Sequence, residues 1–113
     1  MEGSAHEPGD AAVRAQLMAL LDSGLKTEWR HRADTSEKVD EVTKRLQQIP
    51  HNDYPGKLTI AGVTPHPYLP PAQPEIEQSC STCVRYERKR RYCNLPELEL
   101  PVEPEWSCVV WRL

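Results

Sequence analysis

The chain has 113 residues, a formal net charge of −3 at pH 7 and a hydrophobic fraction of 38%. This length allows one domain, and so short and polar a chain buries only a small core, which often needs a disulfide or a metal for stability. The negative net charge gives the molecule as a whole no electrostatic attraction to nucleic acid or anionic lipid.

The first half of the chain predicts two amphipathic helices, over 10–24 and 35–49. Apolar residues recur there every three or four positions, which is the helical period. We expect Asp10 to cap the first helix and Gly24 to end it. The second should begin at a capping residue and end before Pro50. The candidate caps are Asp34, Thr35 and Ser36, and the two apolar stripes are Val13, Leu17, Leu20 and Leu21, then Val39, Val42, Leu46 and Ile49. Because short isolated helices are marginal in water, we expect the pair to form a helical hairpin within 1–49, behind a frayed N-terminus.

The middle segment, 50–79, is rich in proline, with seven prolines between positions 50 and 74. We expect an extended, polyproline-like strap that contains one short strand at 56–63, "GKLTIAGV", after a turn at 51–56. The four histidines are scattered in polar or proline-rich surroundings, and no nucleophile is indicated beside them. We therefore expect neither an enzyme nor a small-molecule substrate.

The tail, 80–113, holds every cysteine of the chain in the spacing C-x2-C-x9-C-x14-C. A redox pair would use only the first two cysteines, on a βαβ scaffold that the sequence does not indicate. Two disulfides would suit a secreted domain, but the first ten residues lack the basic and apolar regions of a secretory signal. We therefore expect a cytoplasmic protein and a metal site.

Zinc and iron–sulfur both remain open from the spacing. Structural zinc commonly uses two tight cysteine pairs, whereas this tail has one pair and two single cysteines. Iron–sulfur clusters accept separated ligands, and their potential depends on the walls around them. Apolar and aromatic residues flank the cysteines, which favours a cluster, with Zn²⁺ as the alternative. These residues are Tyr86, Tyr92, Trp106, Val109, Val110 and Trp111.

The Cys-x-x-Cys pair, the lone Cys93 and the ending "EWSCVVWRL" together resemble the high-potential iron–sulfur proteins. They also resemble the small cluster-bearing accessory subunits of some glycyl-radical enzymes, which share that fold. The resemblance covers 80–113 and implies one 4Fe-4S cluster in a small domain with little regular structure. The implied ligands are Cys80, Cys83, Cys93 and Cys108. Trp106 and Trp111 correspond to the aromatic shield, to which we expect Tyr92 to contribute.

Two charged runs lie in the tail. Segment 85–91, "RYERKRR", has five basic residues and one Glu, while 94–106 has four Glu and no basic residue. The runs would offset each other if the chain folds back at Cys93. Alternatively, the basic run is a docking patch for a protein partner or nucleic acid. Its residues are Arg85, Arg88, Lys89, Arg90 and Arg91.

The sequence thus predicts a small protein of α plus irregular class. A helical hairpin (1–49), a proline-rich strap (50–79) and a metal-bound tail (80–113) should pack as one unit. We expect a non-catalytic protein that holds a 4Fe-4S cluster and acts through a partner macromolecule. The alternatives are a zinc-stapled adaptor, inhibitor or transcription accessory protein, and an electron-transfer subunit of a larger enzyme. No apolar run approaches the roughly 18 residues of a membrane helix, so no membrane partner is expected.

Overall fold

A computed structural model describes residues 9–29, 35–71, 73 and 75–112. These residues form a mixed α/β structure in which three short strands make an antiparallel sheet of order β1-β2-β3. The elements are α1 (Asp10–Asp22), α2 (Ser36–Gln47), α3 (Tyr54–Ile60), β1 (Tyr86–Glu87), β2 (Tyr92–Cys93) and β3 (Leu100–Pro101). Helices in the first half and a tail of mostly irregular backbone are confirmed, but the sheet was not predicted. None of the helices in these ranges is long and apolar enough to cross a membrane.

Helices α1 and α2 lie where the apolar periodicity predicts them. Thr35, one of the three predicted caps, accepts a hydrogen bond from the backbone N–H of Lys38. The predicted cap of α1 is wrong, because Gly9 precedes that helix and makes no side-chain cap. Asp10 is instead the first helical residue, and its carboxylate accepts a hydrogen bond of 2.6 Å from Arg90.

The predicted pairing of the two helices is also wrong. Helix α1 packs mainly against β3 and α3, and α2 packs mainly against α3. Helix α3 therefore packs against both helices, and β3 covers the larger part of the α1 contact surface. Residues 30–34, which join α1 to α2, lie outside the described ranges, as do 1–8, where a frayed end is predicted.

Helix α3 replaces the strand predicted at 56–63. The Asp53 side chain accepts a hydrogen bond of 3.0 Å from the backbone N–H of Gly56, which caps the helix start. Pro55 lies in the first turn, where its missing N–H costs nothing because that group has no intrahelical partner. These two start signals outweigh the strand-like composition of the segment.

One hydrophobic core joins all three segments of the chain. Leu17 of α1, Val42 of α2 and Leu58 of α3 are buried together with Leu100 of β3 and Val109 near the C-terminus. Helix 54–60 thus brings part of the proline-rich segment into the core.

Two basic side chains are buried within this core. Arg14 of α1 donates hydrogen bonds to the carbonyl oxygens of Val102 (3.2 Å) and Arg91 (2.9 Å). Lys57 of α3 donates one to the carbonyl oxygen of Leu98. Both side chains therefore fix a helix to the segment that contains β2 and β3, and neither was singled out in the sequence.

Candidate metal centre

The four cysteines of the chain line one cavity, which we call the thiol pocket. The cavity between its walls has a volume of about 20 Å³ and is partly open to solvent. All four thiols are free, so no disulfide is present. The pocket is lined by Cys80, Cys83, Cys93 and Cys108, together with Arg85, Tyr86, Ser107 and Trp111. The structure thus brings together all four predicted metal ligands.

A short turn positions Cys80 and Cys83. Residues Cys80–Thr82 form one turn of 3₁₀ helix, with Ser79 as its cap. The backbone N–H of Ser79 donates a hydrogen bond to the Thr82 hydroxyl, and that of Cys80 donates to the Trp106 carbonyl at 2.6 Å. Ser79 was not predicted as a site residue. Its spacing of three residues from Thr82, another hydroxyl residue, is nevertheless typical of a capping box.

Longer-range backbone pairing positions the other two cysteines. Cys93 lies on the central strand β2, opposite Tyr86 of β1 and Leu100 of β3. Cys108 follows Ser107, whose backbone exchanges two hydrogen bonds with Thr64 at 2.8 and 3.0 Å. The pocket therefore depends on the sheet and on the proline-rich segment, as well as on the Cys-x-x-Cys turn.

The environment of the pocket opposes ionisation of Cys80, Cys93 and Cys108. Burial raises the pKa of Cys80 and Cys108 well above the ordinary value and that of Cys93 to about 11, and neighbouring thiolate charge adds to each shift. Hydrogen bonds from the backbone N–H groups of Leu95 and Val110 lower the pKa of Cys93 and Cys108, but by less than burial raises it. These three thiols ionise at neutral pH only if a cation compensates their charge.

In the described ranges, no group of three or more His, Cys, Asp or Glu side chains is arranged to hold a metal ion. One zinc ion takes all its sulfur ligands at about 2.3 Å, so those sulfurs touch one another. In a four-iron cluster each thiolate binds its own iron, so the sulfurs stand further apart.

Ser107 adds a polar group that has no partner. The residue is 1% exposed and lines the thiol pocket. Its hydroxyl oxygen is buried without a hydrogen bond to any part of the described chain. Leaving a buried hydroxyl unpaired costs about 1–3 kcal/mol.

The three aromatic residues predicted to shield a cluster occupy different places. Trp111 is buried and lines the pocket, and its indole N–H donates a hydrogen bond of 2.9 Å to the Ser79 carbonyl. Trp106 is buried, but neither it nor Tyr92 is among the lining residues. The Tyr92 ring lies 3.6 Å from the guanidinium carbon of Arg90. Tyr86 is the second aromatic wall.

The predicted docking residues divide into two groups. Arg90 pairs with Asp10 at 2.6 Å, and Arg91 pairs with Glu103 at 3.2 Å. The second pair joins the basic and acidic runs, as expected if the chain folds back at Cys93. The other three predicted docking residues are exposed, namely Arg85, Arg88 and Lys89. Of these three, Arg85 also lines the thiol pocket.

No protein-family model, curated protein or solved structure matches the chain significantly.

Proposed function

We propose that this chain is a small, non-catalytic iron–sulfur protein that acts through a macromolecular partner. Its ligands to one 4Fe-4S cluster are Cys80, Cys83, Cys93 and Cys108. The observation that carries the proposal is the thiol pocket, in which four free thiols from three parts of the fold line a single cavity. Four cysteine thiolates are the usual ligand set of such a cluster.

Two features support a cluster over a single zinc ion. The cysteines comprise one tight pair and two single, well-separated residues, which iron–sulfur clusters accept as ligands. The aromatic walls, Tyr86 and Trp111, limit the access of water, which is one of the factors that set the potential of a cluster.

The ligands would also link the parts of this small fold. Cys80 and Cys83 belong to a turn, Cys93 to the sheet, and Cys108 to the segment paired with Thr64. Because a metal bound only by the folded chain contributes its binding energy to folding, cluster loading should stabilise the whole unit.

An electron-transfer subunit is the second candidate. It is favoured by the position of Arg85, an exposed residue that lines the pocket and therefore marks a short path from solvent to the thiols. A bound cluster would supply one-electron chemistry at this position.

Metal analysis of protein purified without oxygen tests the proposal. We expect a brown protein with about four iron and four sulfide per chain. Cys93→Ser should lose most of the iron, whereas Ser81→Ala, an exposed change inside the Cys-x-x-Cys turn, should keep it. A colourless protein with one zinc would establish the zinc-stapled adaptor instead. Reversible redox cycling without unfolding would identify the electron-transfer role.

A further inference from the structure

One exposed residue lines the thiol pocket: Arg85, two positions after Cys83. The other lining residues are buried or half-buried. Val84, between Cys83 and Arg85, is 63% exposed. Its backbone N–H donates a hydrogen bond of 2.7 Å to the carbonyl oxygen of Arg112, which places a second exposed arginine beside it. We call the surface formed by Val84, Arg85 and Arg112 the pocket mouth.

The pocket mouth is positive although the chain is negative. Within the described ranges, neither Arg85 nor Arg112 forms an ion pair, in contrast to Arg90 and Arg91. The three residues of the mouth therefore carry two positive charges, whereas the formal net charge of the whole chain is −3. One exposed carboxylate, that of Glu105, has a charge that reaches the pocket thiol of Cys80.

We infer that the pocket mouth is the docking surface for an acidic region of a protein partner, which exchanges electrons with the bound group past Cys83. This inference rests on the proposed cluster and on the electron-transfer candidate, and it assigns the surface through which that role is exerted. An exposed apolar side chain, Val84, bordered by arginines has the layout of a small protein interface, with an apolar centre and a polar rim. Complementary charge would steer and orient such a partner.

A protein partner fits this surface better than nucleic acid does. Nucleic-acid affinity comes largely from many phosphate contacts made by free Lys and Arg side chains. Arg90 and Arg91 are bound to carboxylates of the chain itself, and Glu87 lies within the run. An exposed valine at the centre of the mouth contributes nothing to phosphate binding.

Small redox reagents of opposite charge test the sign of charge at the mouth. In stopped-flow mixing, hexacyanoferrate(III) accepts one electron from the reduced iron–sulfur centre and becomes hexacyanoferrate(II). Tris(phenanthroline)cobalt(III) accepts one electron in the same way but is a cation. We expect the rate with the anionic reagent to fall as salt is added and the rate with the cationic reagent to rise, because salt screens attraction and repulsion alike. Added poly-L-glutamate should lower the rate of electron transfer to hexacyanoferrate(III).

Matched variants locate the effect. Arg85→Gln combined with Arg112→Gln should lower the rate with hexacyanoferrate(III), expressed per bound iron, several-fold at low salt. Lys26→Gln combined with Lys44→Gln, which removes the same two charges at exposed sites outside the pocket lining, should have little effect on that rate. Each of these side chains is exposed, so all the variants should fold.

Each contrary result has its own meaning. If the rate with hexacyanoferrate(III) rises with salt in the iron-loaded protein, or if the arginine double variant behaves like the double lysine control, the inference is wrong and the proposed function stands. If a double-stranded DNA oligonucleotide binds and the double variant abolishes this binding, the surface belongs to nucleic acid and not to a protein. A preparation without iron overturns the proposed function and this inference together.

Discussion

Replacing Arg14 by methionine tests whether the first helix and the cysteine tail are one unit. The Arg14 guanidinium donates hydrogen bonds to three carbonyl oxygens of the tail, those of Val102, Arg91 and Arg90, at 3.2, 2.9 and 3.2 Å. It also lies 3.7 Å from a carboxylate oxygen of Glu103. Methionine would keep much of the apolar stem in place but would leave these acceptors without a donor.

The expected loss follows from these contacts. A hydrogen bond from a charged donor contributes about 1.5–3 kcal/mol, and removing one partner of a buried ion pair costs about 3–5 kcal/mol. Removing the buried charge itself recovers part of this cost, and Glu103 keeps its contact with Arg91. We therefore expect Arg14→Met to lower the free energy of unfolding by about 3 kcal/mol.

Urea denaturation of the wild type and the variant measures the difference. Arg45→Met is the matched control, because Arg45 makes two hydrogen bonds of 2.6 Å to Glu28 at a partly exposed site. Loss of such a surface pair costs about 0.2–1 kcal/mol. If Arg14→Met costs no more than Arg45→Met, Arg14 does not hold the tail to α1 and the reasoning is refuted.

Three further changes test other parts of the structure. Trp111→Phe removes the indole donor to Ser79 and should lower the free energy of unfolding by about 1–2 kcal/mol and speed iron release; unchanged release would contradict this. Gly62→Ala should cost at least about 1 kcal/mol more than Gly24→Ala in thermal denaturation. Both glycines have positive φ, but a Cβ at 62 would meet Val109 at 2.8 Å, and one at 24 meets nothing within 4 Å. The metal-free protein should lose stability above pH 9.0, the ordinary thiol pKa, because the unfolded state loses protons while folded Cys93 keeps its own up to about 11. Urea titrations across this range should show a slope of up to about 1.4 kcal/mol per pH unit for each such thiol.

The helices of the first half could be predicted because their signals are local. Apolar periodicity and capping residues act within a few turns, and the bounds of α1 and α2 follow them closely. The third helix was missed for a physical reason. Proline density indicated an extended chain, yet Pro55 lies in the one turn of a helix that tolerates it, directly after the Asp53 cap.

The partners of these helices could not be read from the same pattern. An apolar stripe indicates that a face is buried but does not identify what covers it. The two buried cations, Arg14 and Lys57, show the limit most clearly, because a long basic side chain in a helix usually reaches solvent. Their burial depends on backbone carbonyls that only the tertiary fold places within reach.

The candidate site was predictable in its residue types and less so in its walls. Tyr92 was expected to shield the metal because it adjoins Cys93 in sequence. The two residues are consecutive on strand β2, and successive side chains of a strand point to opposite faces. With Cys93 facing the pocket, Tyr92 must face away from it, and its ring lies under Arg90 instead. A shield has to come from other elements, as Trp111 does.

The raised thiol pKa values connect the folding of this chain to the loading of its pocket. Metal ligation requires thiolates, whereas burial in the folded, metal-free pocket keeps the thiols of Cys80, Cys93 and Cys108 protonated at neutral pH. Loading must therefore release protons, so the affinity of the pocket should increase with pH. The same burial that disfavours bare thiolates would strengthen their attraction to the iron of the proposed cluster, since both effects follow from the low local dielectric. Closing the pocket is thus unfavourable for ionised thiols alone, so we expect the proposed cluster to stabilise the fold by compensating their charge.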